Sequence, residues 1–183
     1  MAFVGAGLAA CSSTPARSDH LAPSPVTSSL LSLSCSDSVG QQGQDHETVT
    51  GGVEGLILPG SGDPAGLYPI GTASGGTRYF IHKAFLAVAP FAAPFATVSV
   101  TRPASARLVY ASPSRIGRLF TTDSGRALLA ASRSTVRLPV CGPRFTGFTG
   151  GVIVTGPTCL TFTVSSPAAR AATATVPIGP VTC

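Results

Sequence analysis

Short runs in which apolar and polar residues alternate recur along the second half of the chain. The clearest is CLTFTVS, residues 159–165, where Leu160, Phe162 and Val164 alternate with threonine and serine. This alternation predicts a half-buried β-strand, because successive side chains of a strand point to opposite faces. Shorter or less regular apolar runs predict strands at residues 48–58, 78–88, 95–101, 106–110, 134–140, 151–155 and 171–176, and residues 30–33 are a candidate for a first strand.

Turn-forming residues separate the predicted strands. Residues 59–60, 62–66 and 75–76 are rich in glycine and proline, which favour tight turns. Some eight short strands with turns between them indicate a sandwich or a barrel, and the one-sided alternation favours the sandwich. We therefore predict an all-β fold, an immunoglobulin-like Greek-key β-sandwich of about eight short strands.

One segment has the character of a helix rather than a strand. Residues 124–132, SGRALLAAS, contain good helix formers, and Asp123 is a plausible N-cap. Leu128 and Leu129 are the side chains that such a helix would bury. We expect at most one short helix, of one or two turns.

The composition limits the classes of partner. Charged residues make up 10% of the chain, against roughly 25% in an average soluble domain. The formal net charge is +5, and the arginines are scattered, with no two basic residues adjacent. We expect no nucleic-acid partner, because no nucleic-acid-binding motif accompanies these arginines. A weak affinity for acidic cell-wall polymers or lipid headgroups explains the charge at least as well, and a solvated surface explains it most simply.

The residues that precede the first cysteine resemble a bacterial lipoprotein signal. Leu8-Ala9-Ala10-Cys11 matches the lipobox, in which the cysteine thiol receives a diacylglyceryl group before cleavage. A secretory signal also has a cationic region ahead of its apolar stretch. Only ten residues precede Cys11, and the first arginine is Arg17. Either the cationic region lies upstream of Met1 or the match is accidental.

The lipobox, the composition of the next segment and the strand pattern together predict a division of the chain into three parts. Residues 1–11 would be a truncated signal with its lipobox, and residues 12–34, rich in Ser, Pro and Ala, a disordered linker. Residues 35–183 would form the β-sandwich domain. We expect no transmembrane segment, since the leader is far shorter than the roughly 20 residues that span a bilayer.

Cysteine usage agrees with export. The five cysteines are Cys11, Cys35, Cys141, Cys159 and Cys183. Assigning Cys11 to a lipid leaves four, enough for two disulfides in an oxidising compartment. No C-x-x-C spacing occurs, which disfavours zinc ribbons and thioredoxin-like redox sites.

The stretch VCGPRFTGFTGGVIVTGPTCLTFTV resembles a group of exported actinobacterial β-domain proteins to which no activity is attached. The likeness includes residues 35–40 and 83–86 and implies a shared exported β-domain. Within it, Gly150-Gly151 would permit a bend or bulge where a loop becomes a strand. The matching residues of the quoted stretch and of the C-terminus are Cys141, Phe148, Gly150, Gly151, Pro157, Cys159 and Cys183.

The pairing of the four cysteines has more than one reasonable solution. A Cys141–Cys159 disulfide would close a short loop, and Cys35–Cys183 would then join the two ends of the domain. The rival bond, Cys159–Cys183, would join the start of one hairpin strand to the end of the next. Four cysteines allow three connectivities. We favour the first pairing and keep the rival.

Candidate catalytic residues are few. Asp123-Ser124-Gly125 resembles the Asp-Ser-Gly of aspartic proteases, but that chemistry needs a second carboxylate, so a capping role is favoured. Asp45-His46-Glu47 fits a solvated loop better than a metal site, and His82 fits an apolar strand better than a general base. Ser74, in a glycine-rich turn, lacks the spacing of a nucleophile elbow. We expect no catalytic, cofactor-binding or metal-binding residue.

These expectations combine into one functional hypothesis. The chain would be an extracytoplasmic protein, lipid-anchored through Cys11 at the outer face of the cell membrane. Its domain would act as a non-enzymatic binding or structural module, with a cell-wall polymer or a protein as partner. An unanchored secreted β-domain is the alternative, and a small hydrolase using Asp123 is a weaker one.

Overall fold

The computed structural model describes residues 30–42, 51–54, 66–72, 76–121 and 125–183. The structured elements within these ranges are strands and two short α-helices. In chain order they are β1 (Leu31–Ser32), β2 (Gly40–Gln42), β3 (Val53–Glu54), β4 (Leu67–Thr72), β5 (Arg78–Val88), β6 (Phe95–Arg102), β7 (Arg107–Tyr110), α1 (Pro113–Thr121), α2 (Gly125–Ala131), β8 (Thr135–Pro139), β9 (Phe145–Val154), β10 (Thr158–Ser166) and β11 (Ala169–Ile178).

The strands form two sheets, which confirms the predicted β-sandwich. The first sheet has the order β1-β8-β6-β10-β11. The second has the order β2-β9-β5-β3, and in addition β4 pairs with β5 and β7 pairs with β9. In each sheet the long strands are central or occupy one edge, while strands of two to six residues cover parts of the remaining edges.

Alternate residues of both sheets meet in the core between them. From β5, the inward-facing residues include Ala84, Leu86 and Val88, and from β10 they include Leu160 and Phe162; each is at most 4% exposed. Burial of a large aliphatic or aromatic side chain contributes about 1.5–3 kcal/mol. The alternation that is visible in the sequence is therefore the alternation between this core and the outer faces.

Helices α1 and α2 cover part of the outer face of the second sheet. Ile116 and Leu119 of α1 and Leu128 of α2 form a second apolar cluster with outward-facing sheet residues such as Ile81 and Ile153. The prediction of at most one helix is corrected here, because α1 was missed. Ser112-Pro113 was interpreted only as the end of a strand. The same pair also indicates the start of a helix, because proline is favoured at the first helical position.

The other predicted helix is confirmed. It was expected at residues 124–132, and α2 spans Gly125–Ala131. Leu128 is buried and Leu129 packs against the second cluster, as expected. The proposed cap, Asp123, lies outside the described residues.

Consecutive strands mostly lie in opposite sheets. From β5 to β10, every connection passes from one sheet to the other. Within the described ranges, the pairs that are adjacent both in the chain and in a sheet are β4–β5 and β10–β11. Most strand neighbours are therefore far apart in the sequence, and the two sheets cannot form independently of each other.

Strand β9 corrects one local prediction. Gly150-Gly151 was expected to mark a bend or bulge at the start of a brief strand. Instead, β9 runs from Phe145 to Val154, and its register with β5 is unbroken from Thr146 to Val154. The glycines lie inside a regular strand, so the need for them comes from packing and not from a turn.

Candidate functional site

The first disulfide joins Cys35 to Cys141, with a Cα–Cα distance of 5.6 Å. Cys35 begins a single 3₁₀ turn after β1, and the carboxylate of Asp37 closes this turn by accepting from the Ser34 N–H at 2.9 Å. Cys141 follows β8, and its N–H donates to the hydroxyl of the buried Thr146 at 3.0 Å. Because β1 also pairs with β8, the bond fastens the first described segment to the first sheet.

The second disulfide joins Cys159 to Cys183, with a Cα–Cα distance of 5.7 Å. The favoured pairing, Cys141–Cys159 with Cys35–Cys183, is therefore wrong, and the rival is observed. Cys159 stands opposite Pro177 in the β10–β11 hairpin, so a short return of the chain after β11 brings Cys183 to it. Cys141 lies in the loop between the end of β8 and the start of β9. Cys159 lies at the start of β10, close to the end of β9. The two cysteines are therefore at opposite ends of the sandwich.

Two titratable side chains are buried among apolar residues between the sheets. His82 is 5% exposed, and its Nδ1 lies 3.2 Å from the carbonyl oxygen of Gly66, to which it can donate. Burial lowers the pKa of His82, and the backbone hydrogen bond offsets part of that effect. Tyr110 is 2% exposed, and burial raises the pKa of its phenol above the usual range.

His82 and Tyr110 offer little for catalysis in the described structure. Within those residues, neither His82 Nε2 nor the Tyr110 hydroxyl has a hydrogen-bond partner. Both side chains are buried on the side of their strands that faces the apolar core. The sequence-based view of His82 as a residue of an apolar strand agrees with this burial, although its position in the core was not predicted.

Lys83 connects three elements on the outer face of the second sheet. Its Nζ lies 5.1 Å from the ring centroid of Tyr68 on β4 and 5.4 Å from that of Phe120 on α1. Cation–π contacts at exposed sites contribute about 0.5–1 kcal/mol. The cluster helps to hold α1 against β4 and β5, and this structural role accounts for its geometry.

Basic residues collect at one end of the sandwich. β5 begins at Arg78, β6 ends at Arg102 and β7 begins at Arg107, and strand register places all three at the same end. Arg133 lies beside β7, where it forms an isolated bridge with Leu108. We call the surface that includes Arg78, Arg102, Arg107 and Arg133 the basic end.

Backbone carbonyls, and not carboxylates, hold two of these guanidinium groups. Arg107 donates to the carbonyl oxygens of Ala104 and Ala106, the latter at 2.8 Å. Arg133 donates to the carbonyl oxygens of Ala130 and Ser132, both at 2.7 Å. Hydrogen bonds to neutral carbonyls fix the side chains without themselves neutralising the positive charge. These two arginines therefore contribute a fixed positive potential.

The acidic residues of the described ranges, Asp37 and Glu54, lie away from the basic end. Asp37 is in the turn that carries Cys35, which is bonded to Cys141 at the end of β8. Glu54 stands opposite Ala87, near the end of β5. Seven acidic residues occur in the whole chain, and the other five lie outside the described ranges. Within the described part, positive charge thus dominates the end where β5 begins.

This clustering was not predicted from the sequence, because the arginines are scattered along the chain and no two basic residues are adjacent. Part of the cluster could have been predicted from the sequence, since Arg102 and Arg107 flank one short loop, RPASAR, between two predicted strands. Residues at both ends of a short loop must lie at the same end of a sandwich.

Several predicted candidates lie outside the described residues. These are Cys11 with its lipobox, the cluster Asp45-His46-Glu47, Ser74 and the Asp123-Ser124 pair. Within the described residues, no group of three or more His, Cys, Asp and Glu side chains could hold a metal ion. Nor do those residues include a helix long and apolar enough to cross a membrane.

Comparisons of the chain with protein families, with curated proteins and with solved structures find no match. The two disulfides are the finding that bears on location. Disulfides form and persist in oxidising surroundings, so they indicate an extracytoplasmic environment.

Proposed function

We propose that this chain is an exported protein held at the outer face of the cell membrane by a diacylglyceryl group on Cys11. Its sandwich acts there as a non-enzymatic binding or structural module. The observation that supports this best is the state of the cysteines. Four of the five are paired with one another, which leaves Cys11, the cysteine of the lipobox-like motif, for a lipid.

The chemistry of the anchor is consistent with stable attachment. A single acyl chain binds a membrane only marginally, whereas two chains hold a protein firmly. A diacylglyceryl group supplies two. The alternative is an unanchored secreted domain with the same fold, in which Cys11 is removed with the leader or stays unmodified. The hydrolase alternative depends on Asp123, and no described residue adds to it.

Fatty-acid labelling in cells tests the anchor. The gene is expressed with its natural upstream region, and an alkyne-bearing fatty acid is supplied. We expect the wild-type protein to take up the label and to enter the detergent phase in a two-phase extraction. Cys11→Ser should abolish both, whereas the neighbouring substitution Ser12→Ala should preserve both.

Two outcomes would contradict the proposal in different ways. An unlabelled wild-type protein in the growth medium would support the secreted alternative. An unlabelled protein inside the cell, with its thiols reactive before reduction, would reject export altogether.

A further inference from the structure

We propose that the basic end of the sandwich rests on the anionic headgroups of the membrane that carries the Cys11 anchor. This inference deepens the proposed function and rests on it for the membrane concerned. The partner is a lipid surface rich in negatively charged headgroups, and the contact is mainly electrostatic, with the apolar Leu30 at its margin.

The first argument is the position of charge. Arg78 and Arg102 are exposed at the basic end, and Arg107 and Arg133 are held beside them by backbone carbonyls. The acidic residues of the described ranges lie elsewhere, as shown above. Each basic residue close to an anionic lipid surface strengthens binding by about fivefold. Four such residues on one end form a useful headgroup-binding surface.

The path of the chain into the domain also favours a membrane contact at the basic end. β1 runs parallel to β8, with Leu31 opposite Val136. β8 starts at the level of Ser99 on β6, which continues from there to Arg102. The chain therefore comes into the sandwich from the side of the basic end. An anchor at Cys11 is thus joined to the end that carries the arginines.

Leu30, where the described part of the chain begins, is suited to contact a membrane. Leu30, the first described residue, is apolar and 40% exposed. An exposed apolar side chain on the side from which the chain enters the domain suits the interface between headgroups and acyl chains, where apolar burial and charge attraction act together. A soluble anionic polymer would use the arginines but would gain nothing from Leu30.

The length between anchor and domain permits the contact. Eighteen residues separate Cys11 from Leu30. The disordered linker that the sequence predicts for this segment would have an r.m.s. span of about 25 Å. At this distance the surface concentration of headgroups is high, so a weak electrostatic affinity is enough to orient the domain.

Tryptophan reporters test the orientation, because the chain contains no tryptophan of its own. Ser105→Trp places a reporter in the exposed loop between Arg102 and Arg107. Ala168→Trp places a matched reporter in the exposed β10–β11 turn, at the opposite end. Both are made in the full chain with Cys11→Ser, so that no lipid contributes to binding.

Vesicles of phosphatidylglycerol and phosphatidylcholine, with brominated acyl chains as quenchers, supply the surface. We expect the fluorescence of Ser105→Trp to shift to the blue and to be quenched at low salt, and the effect to fade at high salt. Ala168→Trp should change little. Equal responses of the two reporters, or no binding of either, would overturn the proposal.

A matched pair of charge variants tests whether position or net charge matters. Arg78→Gln with Arg102→Gln removes two charges from the basic end, and Arg144→Gln with Arg170→Gln removes two exposed charges from the opposite end. We expect the first double variant to bind the anionic vesicles about 30-fold more weakly and the second to lose much less. Equal losses would show a net-charge effect only and overturn the proposal.

The outcomes separate this inference from the proposed function. If the protein takes up no fatty-acid label but the vesicle experiments give the expected results, the lipid anchor is rejected and membrane binding by the basic end is supported. If the label is present but the vesicle results fail, anchoring stands and the orientation is wrong. Binding to soluble polyglycerol phosphate without binding to vesicles would identify a cell-wall polymer as the partner and overturn the inference.

Discussion

Gly150 and Gly151 lie where neighbouring strands leave no room for a side chain. A Cβ on Gly150 would overlap the carbonyl oxygen of Val109 and the ring of Tyr110, whose Cγ would be 2.6 Å away. A Cβ on Gly151 would be 2.6 Å from the His82 carbonyl oxygen and 3.0 Å from Ile81. Gly150 thus leaves room for the Tyr110 side chain in the core between the sheets. Gly151 leaves room for the Ile81 side chain on the outer face that the helices cover.

Adding a methyl group at Gly150 should destabilise the protein. Gly150→Ala forces Tyr110 and the β7 backbone to move, and overpacking of this kind costs about 1–3 kcal/mol. Urea denaturation measures the change in the free energy of unfolding. Gly156→Ala is the control, because a Cβ there has no atom within 4 Å. Equal stability of the two variants would show that Tyr110 does not depend on the gap at Gly150.

His82 should make stability depend on pH in the acidic range. Burial lowers its pKa in the folded state, so the folded protein favours the neutral ring. In the unfolded chain the pKa is about 6.5. The contribution is therefore fully present above pH of about 6.5 and is lost as the pH falls towards the folded-state pKa.

Denaturation curves on either side of the ordinary histidine pKa check this expectation. Wild type should lose stability on acidification, and His82→Gln should lose less of it. His20→Gln, in the predicted linker, is the matched control and should behave as wild type. An unchanged acid dependence in His82→Gln would contradict the role of this residue.

At the scale of elements, α1 has the apolar spacing of a helix in its sequence but was not predicted. Its buried residues, Ile116 and Leu119, have the spacing of one helix face, and Phe120 extends the same face. The sequence-based prediction ended the preceding strand at Ser112-Pro113 and went no further. Predicted strands 78–88, 95–101 and 159–165 match β5, β6 and β10 closely, because a long apolar or alternating run bounded by turn residues is a stronger signal.

Truncation of the α1 contact should destabilise the helical layer. Leu119→Ala removes a side chain that is 6% exposed against the second sheet, and we expect a loss of about 2–3 kcal/mol. Arg115→Ala, on the exposed side of the same helix, should stay within about 0.5 kcal/mol of wild type. Thermal unfolding followed by circular dichroism compares the two. Equal losses would show that the helix face does not support the sheet.

At the scale of the whole molecule, the two disulfides should differ in their contribution. Cys35–Cys141 has a sequence separation of 106 and Cys159–Cys183 a separation of 24. By the loss of chain entropy in the unfolded state, the longer loop contributes about 5 kcal/mol and the shorter about 3.5 kcal/mol. Removal of the first bond as Cys35→Ser with Cys141→Ser should therefore destabilise more than Cys159→Ser with Cys183→Ser.

Two measurements check this prediction. Denaturation of both double variants gives the order of the losses, and the reverse order would contradict the entropic argument. Mass spectrometry of the unreduced digest should find residues 35 and 141 in one linked peptide pair. A Cys141–Cys159 link would instead contradict the observed pairing.

The basic end also belongs to the scale of the whole molecule. The sequence shows twelve basic and seven acidic residues and no basic run. The fold brings Arg78 and Arg102, from different sheets, to one end, and it adds Arg133 from a segment between α2 and β8. Apart from the short loop between Arg102 and Arg107, no local pattern contains this information, because it depends on the direction in which each strand crosses the sandwich.

The class of the fold, most of its strands, one helix and the number of cysteines available for disulfides could be predicted from the sequence. These follow from local chemistry, since alternation and turn residues act within a few positions of the chain. Three features became apparent only in the folded chain: Cys35 bonds Cys141, Gly150 and Gly151 are packing positions, and four arginines share one end. The physical reason is that consecutive strands mostly cross between sheets, so contacts are made by residues far apart in the chain.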